Sequence, residues 1–244
     1  MMSSSQNSSG KDTEIITQFE KNYQEIQQAI NSAAASAGRD PDEVLLVAVS
    51  KAVGIPQIEA AIKAGVSDFG ENRTQSLREK QSLLPSQRWH YIGHIQTNKL
   101  KDLVGKTYLI HSVASLRALA AISKLAEQRG VRQNILVEVN VSGEESKDGL
   151  ETSEVPGFLE VASSTPSVEV KGFMTMAPLL ESAEDKTARQ CFAALRELRD
   201  NLVPVFTGAE NISLNELSMG MSGDFSDAIL EGATIVRIGR RLWS

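Results

Sequence analysis

The chain has 244 residues, a length that suits one large domain better than two average ones. Its 31 Asp and Glu outnumber 25 Lys and Arg, and the net charge of −6 excludes a protein that grips nucleic acid over a broad surface, leaving room only for a local basic patch. With 41% hydrophobic and 23% charged residues a sizeable core is available, so wholesale disorder is excluded; the single cysteine, Cys191, permits no intrachain disulfide and fits a reducing compartment.

Residues 1–12 are Ser-rich and lack the apolar segment of a signal peptide, so they read as a flexible tail on a cytoplasmic protein. Ile15, Ile16, Phe19, Tyr23, Ile26 and Ile30 then fall at helical spacing, which predicts an amphipathic helix from about Thr13 to near Gly38. The longest apolar run, Val44–Val49, is far short of the roughly 20 residues a membrane helix needs. No membrane span is expected. Asn-x-Ser sequons at Asn7, Asn140 and Asn211 are chance matches in a chain that is not secreted.

Beyond the first helix, short β-rich runs alternate with helical stretches. The predicted strands are Val44–Ser50, Asp68–Gly70, Trp89–Ile95, Thr107–Ser112, Ile135–Val141, Val168–Met174, Glu216–Met219 and Thr234–Ile238. Helices are expected near 55–64, 71–83, 97–103, 115–129, 151–164, 184–202 and 223–232. Runs such as Leu45–Val49 are almost continuously apolar, as parallel strands covered by helices require. Eight such units predict an α/β fold: a single-domain (β/α)8 barrel over residues 13–244, preceded by the N-terminal helix.

In such a barrel the reactive groups sit at the C-terminal strand ends. That rule selects Lys51 after the first strand, Asn72 after the second, His94 at the third and Met174-Thr175-Met176 at the sixth. It also selects Ser218-Met219-Gly220-Met221-Ser222-Gly223 at the seventh and Arg237-Ile238-Gly239-Arg240 at the eighth. A lysine near the barrel axis, partly desolvated, exposes an amine that can form an imine; the bland alternative is a lysine that snorkels to solvent. The Gly/Ser segment 218–223, with an amide from Gly239, can cradle a phosphate, or it is an ordinary loop in which Asp224 caps the next helix. Arg237 is always charged and donates only, so it suits an acceptor such as an unprotonated pyridine nitrogen, unless it simply pairs with Glu138. Lysine and phosphate cradle together leave two options: a phosphosugar Schiff-base aldolase, or a site for pyridoxal 5′-phosphate.

The remaining candidates carry less. His90 and His94 share parity on one predicted strand, roughly 13 Å apart at strand rise, too far to chelate one metal, and no metal site is expected. His111 reads as a satisfied core or rim residue, Cys191 as inert packing, and Lys99, Lys101 and Lys106 as a solvated face.

Six segments in order, Ala48–Lys51, Phe69–Asn72, Trp89–Lys99, Gly172–Met176, Leu217–Asp224 and Val236–Gly239, resemble the signature segments of the pyridoxal phosphate homeostasis protein family. The resemblance covers roughly residues 40–240. It implies a barrel like the N-terminal domain of alanine racemase, with pyridoxal 5′-phosphate bound as a covalent imine on Lys51 and no established catalytic activity. It places Asn72 beside the cofactor ring and its hydroxyl, Ser218, Gly220, Ser222 and Gly239 at the phosphate, Arg237 at the pyridine nitrogen, and Met174 and Met219 near the ring. One departure is Arg240, where the family usually has a small hydroxylated residue. The chain ends before the domain that supplies such racemases with their second acid/base, and an arginine at the ring nitrogen weakens its electron sink. The reading is a monomer that buffers or delivers the cofactor in vitamin B6 and amino-acid or keto-acid balance, with apo-enzymes or a regulatory protein as partners. The alternative is an enzyme with weak racemase or lyase activity.

Overall fold

The computed structural model describes residues 5–143, 148–177 and 187–244. Eight parallel strands close into one barrel: β1 (Leu45–Val49), β2 (Asp68–Glu71), β3 (Arg88–Tyr91), β4 (Leu109–Val113), β5 (Gln133–Asn140), β6 (Val168–Met174), β7 (Ile212–Ser218) and β8 (Ile235–Ile238). Each pairs with its neighbours in sequence, and β8 closes on β1 through Leu45↔Ile235 to Ala48↔Ile238. A two-residue strand, Leu150–Glu151, adds to the upper end of β5. The predicted α/β class and (β/α)8 architecture are therefore what the chain adopts.

Helices α1 (Ser5–Ser36), α2 (Ile55–Lys63), α3 (Thr74–Leu83), α4 (Leu116–Arg129), α5 (Val155–Ser163), α6 (Ala188–Phe206), α7 (Phe225–Leu230) and α8 (Arg240–Trp243) cover the outside. Outward side chains such as Ala48, Phe69, Ile110, Val137, Phe173, Leu217 and Val236 form the main core against them. Alternate positions point inward, because successive residues of a strand face opposite sides. There Val47, Leu109, Leu136, Met174 and Ile235 form a small separate core at the barrel axis.

Several boundaries differ from the sequence reading. Helix α1 starts at Ser5, not near Thr13, and so takes in most of the expected tail; residues 1–4 lie outside the described residues. The predicted start at 184 of the helix before β7 lies outside them too, and α6 runs on to Phe206 through Pro204. Strand β3 stops at Tyr91 instead of reaching Ile95. The chain turns at Gly93, which packs so closely on Asn72 that a Cβ there would overlap the Asn72 carbonyl, and His94 is left in the loop. The 97–103 segment is a 3-10 helix, Thr97–Asp102. Strand β7 begins at Ile212, four residues before the predicted Glu216; Leu214 at φ 50° and a register shift against β6 blur its alternation.

Helix α1 lies across α2, α7 and α8. Asn22 Nδ2 donates to the carbonyls of Leu242 (3.1 Å) and Ser244 (2.7 Å), and the rings of Phe19 and Trp243 lie 5.0 Å apart. The Trp243 indole N–H in turn donates to the carbonyl of Val49 at 2.8 Å, at the end of β1.

Candidate active site at the barrel mouth

Lys51 leaves the barrel two residues beyond Val49, on the face where the C-terminal strand ends converge. The parallel register of β1 with β8 runs to Ala48↔Ile238, and Gly239 packs against Val49 at the same end. Its side chain is exposed, not partly desolvated as expected, because β1 ends at Val49 and the chain turns outward over Lys51-Ala52 before α2. The backbone before it is held firmly. Lys80 Nζ of α3, buried, donates to the Ser50 carbonyl at 2.7 Å and to Glu71 Oε1 at 2.6 Å, and Ser50 Oγ donates to the same carboxylate oxygen at 2.7 Å. Sequence reasoning missed Lys80: a lone lysine in a polar helix carries no signal that it turns inward.

Arg237 is built differently. Its side chain points into the barrel from β8 and is only 4% exposed. Nη1 donates to Ser218 Oγ at 2.7 Å and Nη2 to the Thr175 carbonyl at 2.9 Å. Burial pushes the guanidinium down to about 10, opposed by the charges of Glu138 and Asp224, so it stays protonated at neutral pH. Glu138 is thus a neighbouring charge and not the hydrogen-bonded partner. Burial raises the Glu138 carboxyl to about 7, helped by Asp148 and opposed by Arg237 and His94.

Ser218 departs from its expected place at a phosphate. It is fully buried inside the barrel, with its hydroxyl engaged by Arg237 and, at 2.8 Å, by His111 Nδ1. Met219 faces outward into the core under the helices, since its parity is opposite to that of Ser218, whereas Met174 lies in the inner core below the mouth. Asn72, half-buried, follows β2 directly at the same mouth.

The 218–224 segment and the last strand are tied together. Arg237 N–H donates to the Gly220 carbonyl at 3.0 Å and Arg241 N–H to Ser222 Oγ at 3.4 Å. Gly220 has φ 91°, and a Cβ there would lie 2.6 Å from Ala228 Cβ, so only glycine lets this turn seat against α7. The Asp224 carboxylate accepts from Met221 N–H. What remains exposed is rich in small residues and cationic: half-buried Ser222 and Gly239, exposed Gly223, Arg240 and Arg241. This donor set suits an anion, and Lys51 follows two residues after Val49, against which Gly239 packs.

Two histidines inside the barrel complete the picture. His90 and His111, both buried, lie 2.9 Å apart through His90 Nδ1 and His111 Nε2, and His90 Nε2 is 3.0 Å from Asp68 Oδ1. Burial raises the Asp68 carboxyl, but bonds from His90, Arg88 and Ser67 outweigh it and hold the group well below the usual carboxylate range. His94 is exposed and pairs with Asp148 at 3.3 Å. Among the described residues no group of three or more His, Cys, Asp and Glu could hold a metal ion. Nor is any helix among them long and apolar enough to cross a membrane.

The chain resembles known proteins over most of its length. The family model of the alanine racemase N-terminal domain matches residues 16–243. A pyridoxal phosphate homeostasis protein of Aquifex aeolicus is 42% identical over 89% of this chain and 94% of its own length; one of Escherichia coli K12 is 31% identical over 91% and 94%. The crystal structure of PipY of Synechococcus elongatus with PLP bound superposes with a TM-score of 0.74 at 32% identity, covering 88% of this chain and all of that one. An alanine racemase of Clostridium difficile shares the fold at 14% identity, with a TM-score of 0.68 over 93% of this chain and 56% of its own.

Proposed function

The chain belongs to the pyridoxal phosphate homeostasis protein family, and from that premise we propose that it carries pyridoxal 5′-phosphate reversibly on Lys51 and delivers it inside the cell without being an enzyme. The observation that carries this reading is the convergence, on the adjacent ends of β7, β8 and β1, of a buried donor-only guanidinium, a cationic Gly/Ser rim and an exposed lysine. When bound, the cofactor supplies an aldehyde that condenses reversibly with an amine and a phosphate that serves as a handle.

The protein's own groups do the rest. Lys51 offers the amine. Ser222 and the backbone of Gly220 and Gly239 hold the phosphate, with Arg240 adding charge in place of a hydroxyl. Asn72 would neighbour the ring, Met174 would pack near it, and Arg237 would donate to the ring nitrogen. Because a guanidinium has no proton acceptor, Arg237 keeps that nitrogen unprotonated and weakens the electron sink that carbanion chemistry needs. The exposed setting of Lys51 favours exchange with solvent over the dry, closed site of most enzymes.

Incubation of the full chain with pyridoxal 5′-phosphate, followed by borohydride reduction and peptide mass spectrometry, is expected to fix the cofactor on Lys51. Labelling of a different lysine overturns the assignment. Robust racemisation or elimination with single-enantiomer amino acids overturns the non-catalytic role.

A further inference from the structure

The interior of the barrel holds a continuous hydrogen-bond chain whose direction can be read from its two ends. Arg237 has only N–H donors, so Ser218 Oγ accepts from it at 2.7 Å. At the other end Asp68, an ionised carboxylate already bonded by Arg88 Nε at 2.7 Å, can only accept, so His90 Nε2 carries a hydrogen and donates to it. Between them, Ser218 Oγ has only Arg237 and His111 as partners among the described residues, so its hydrogen goes to His111 Nδ1 and the rest follows. His90 Nδ1 accepts from His111 Nε2–H at 2.9 Å, His111 Nδ1 is left as an acceptor, and the Ser218 hydroxyl donates to it at 2.8 Å. Every bond then points the same way, from Arg237 through Ser218, His111 and His90 to Asp68.

We infer that Ser218, His111, His90 and Asp68 are positioning residues that act as one relay, fixing the Ser218 lone pair toward Arg237 and so holding the guanidinium at the mouth. Arg237 has no carboxylate directly bonded to it, Glu138 and Asp224 acting on it only through space, and a buried cation gains from a bonded counter-dipole. The chain supplies one: each polarised bond passes part of the Asp68 charge toward β8, as connected bonds in a low dielectric do. The far end opens on a cavity of about 360 Å³ at the opposite rim, lined by Asp68, Arg88, Glu216 and Thr234, so the relay spans the barrel from end to end. Ser218, His111, His90 and Asp68 are all buried, and only Arg237, at the chain's other end, is placed to touch the cofactor. The inference rests on the reading that Arg237 faces the ring nitrogen, but the hydrogen positions it fixes belong to the protein alone.

The test therefore begins without cofactor. The chain has three histidines, so long-range proton–nitrogen NMR of the imidazoles of the apo-protein at neutral pH gives three resolved patterns. Both His90 and His111 are expected as neutral Nε2–H tautomers. An imidazolium at His90, or an Nδ1–H tautomer at His111, reverses the chain and overturns the relay. In the loaded protein, Ser218→Ala and His111→Phe are expected to speed cofactor release about tenfold, the worth of a hydrogen bond to a charged group, and to shift the pH midpoint of the imine absorption. Ser218→Thr, which keeps the hydroxyl, is expected to recover most of the loss. If His111→Phe fails to fold, Ser218→Ala and the tautomer pattern still decide. Release and pH midpoint unchanged in Ser218→Ala, against a wild type whose absorption depends on Lys51, overturns the relay and leaves the proposed function standing. A wild type with no such absorption overturns the function and leaves the tautomer result to stand on its own.

Discussion

The two cations at the barrel mouth are built in opposite ways. Lys51 has an exposed side chain on a tightly anchored backbone, whereas Arg237 has a side chain fixed at both of its terminal nitrogens inside the barrel. Under the proposed function, an amine that captures and gives up an aldehyde gains from freedom to move, while a group that sets the electronics of a ring gains from having none. The contrast also shows where the fold spends its buried polar contacts: beneath the lysine they hold backbone, and beneath the arginine they hold the side chain.

The sharpest way to break the comparison is Lys51→Ala, which is expected to abolish imine absorption entirely. Because the side chain is exposed, denaturant titration is expected to show stability within about 0.5 kcal/mol of wild type. Next comes the anchor. Lys80→Met leaves the Glu71 carboxylate buried without its cation and the Ser50 carbonyl with Val53 N–H as its one remaining donor, a loss expected near 4 kcal/mol. Its imine should still form wherever the protein remains folded, and a fully folded Lys80→Met that cannot load would give Lys80 a more direct part.

Glu138 tests the arginine side through pH. Its carboxyl is raised from 4.5 to about 7, so between those values the folded protein holds a proton that the unfolded chain has lost. The resulting stabilisation is complete below about 4.5 and lost as pH rises through about 7. Glu138→Gln is therefore expected to flatten the fall in stability over that window by about 3 kcal/mol, read from denaturation midpoints at a series of pH values. The smallest effect belongs to the rim. Ser222→Ala is expected to speed cofactor release about fivefold, the cost of one hydrogen bond, with Cys191→Ala, on the buried face of α6, as the unaffected control. Equal release rates in the two variants would remove Ser222 from the phosphate site.

Much of this was legible beforehand. Lys51 and Arg237 follow from strand-end placement, and the barrel follows from the count of alternating units. The inner chain was not, because its members lie far apart in sequence and meet only when β4 faces β7 across the closed barrel. Strand parity puts His90 and His94 on one face of a longer strand, a relation lost because β3 ends at Tyr91. Ser218 looked like part of a phosphate loop because its neighbours in sequence are small. Its parity, inward and one step below the rim, was decided by the register Ser218↔Ile235, which no local pattern announces.

The line of contacts from Phe19 through Trp243 to the Val49 carbonyl bears on how such a barrel can diverge. A helix on the outside of a fold is ordinarily free to drift in sequence, but here its apolar stripe presses on an indole that braces the strand delivering the lysine. Changes on that stripe thus act at a distance on the reactive end, and the helix and the last turn of the chain are expected to vary together.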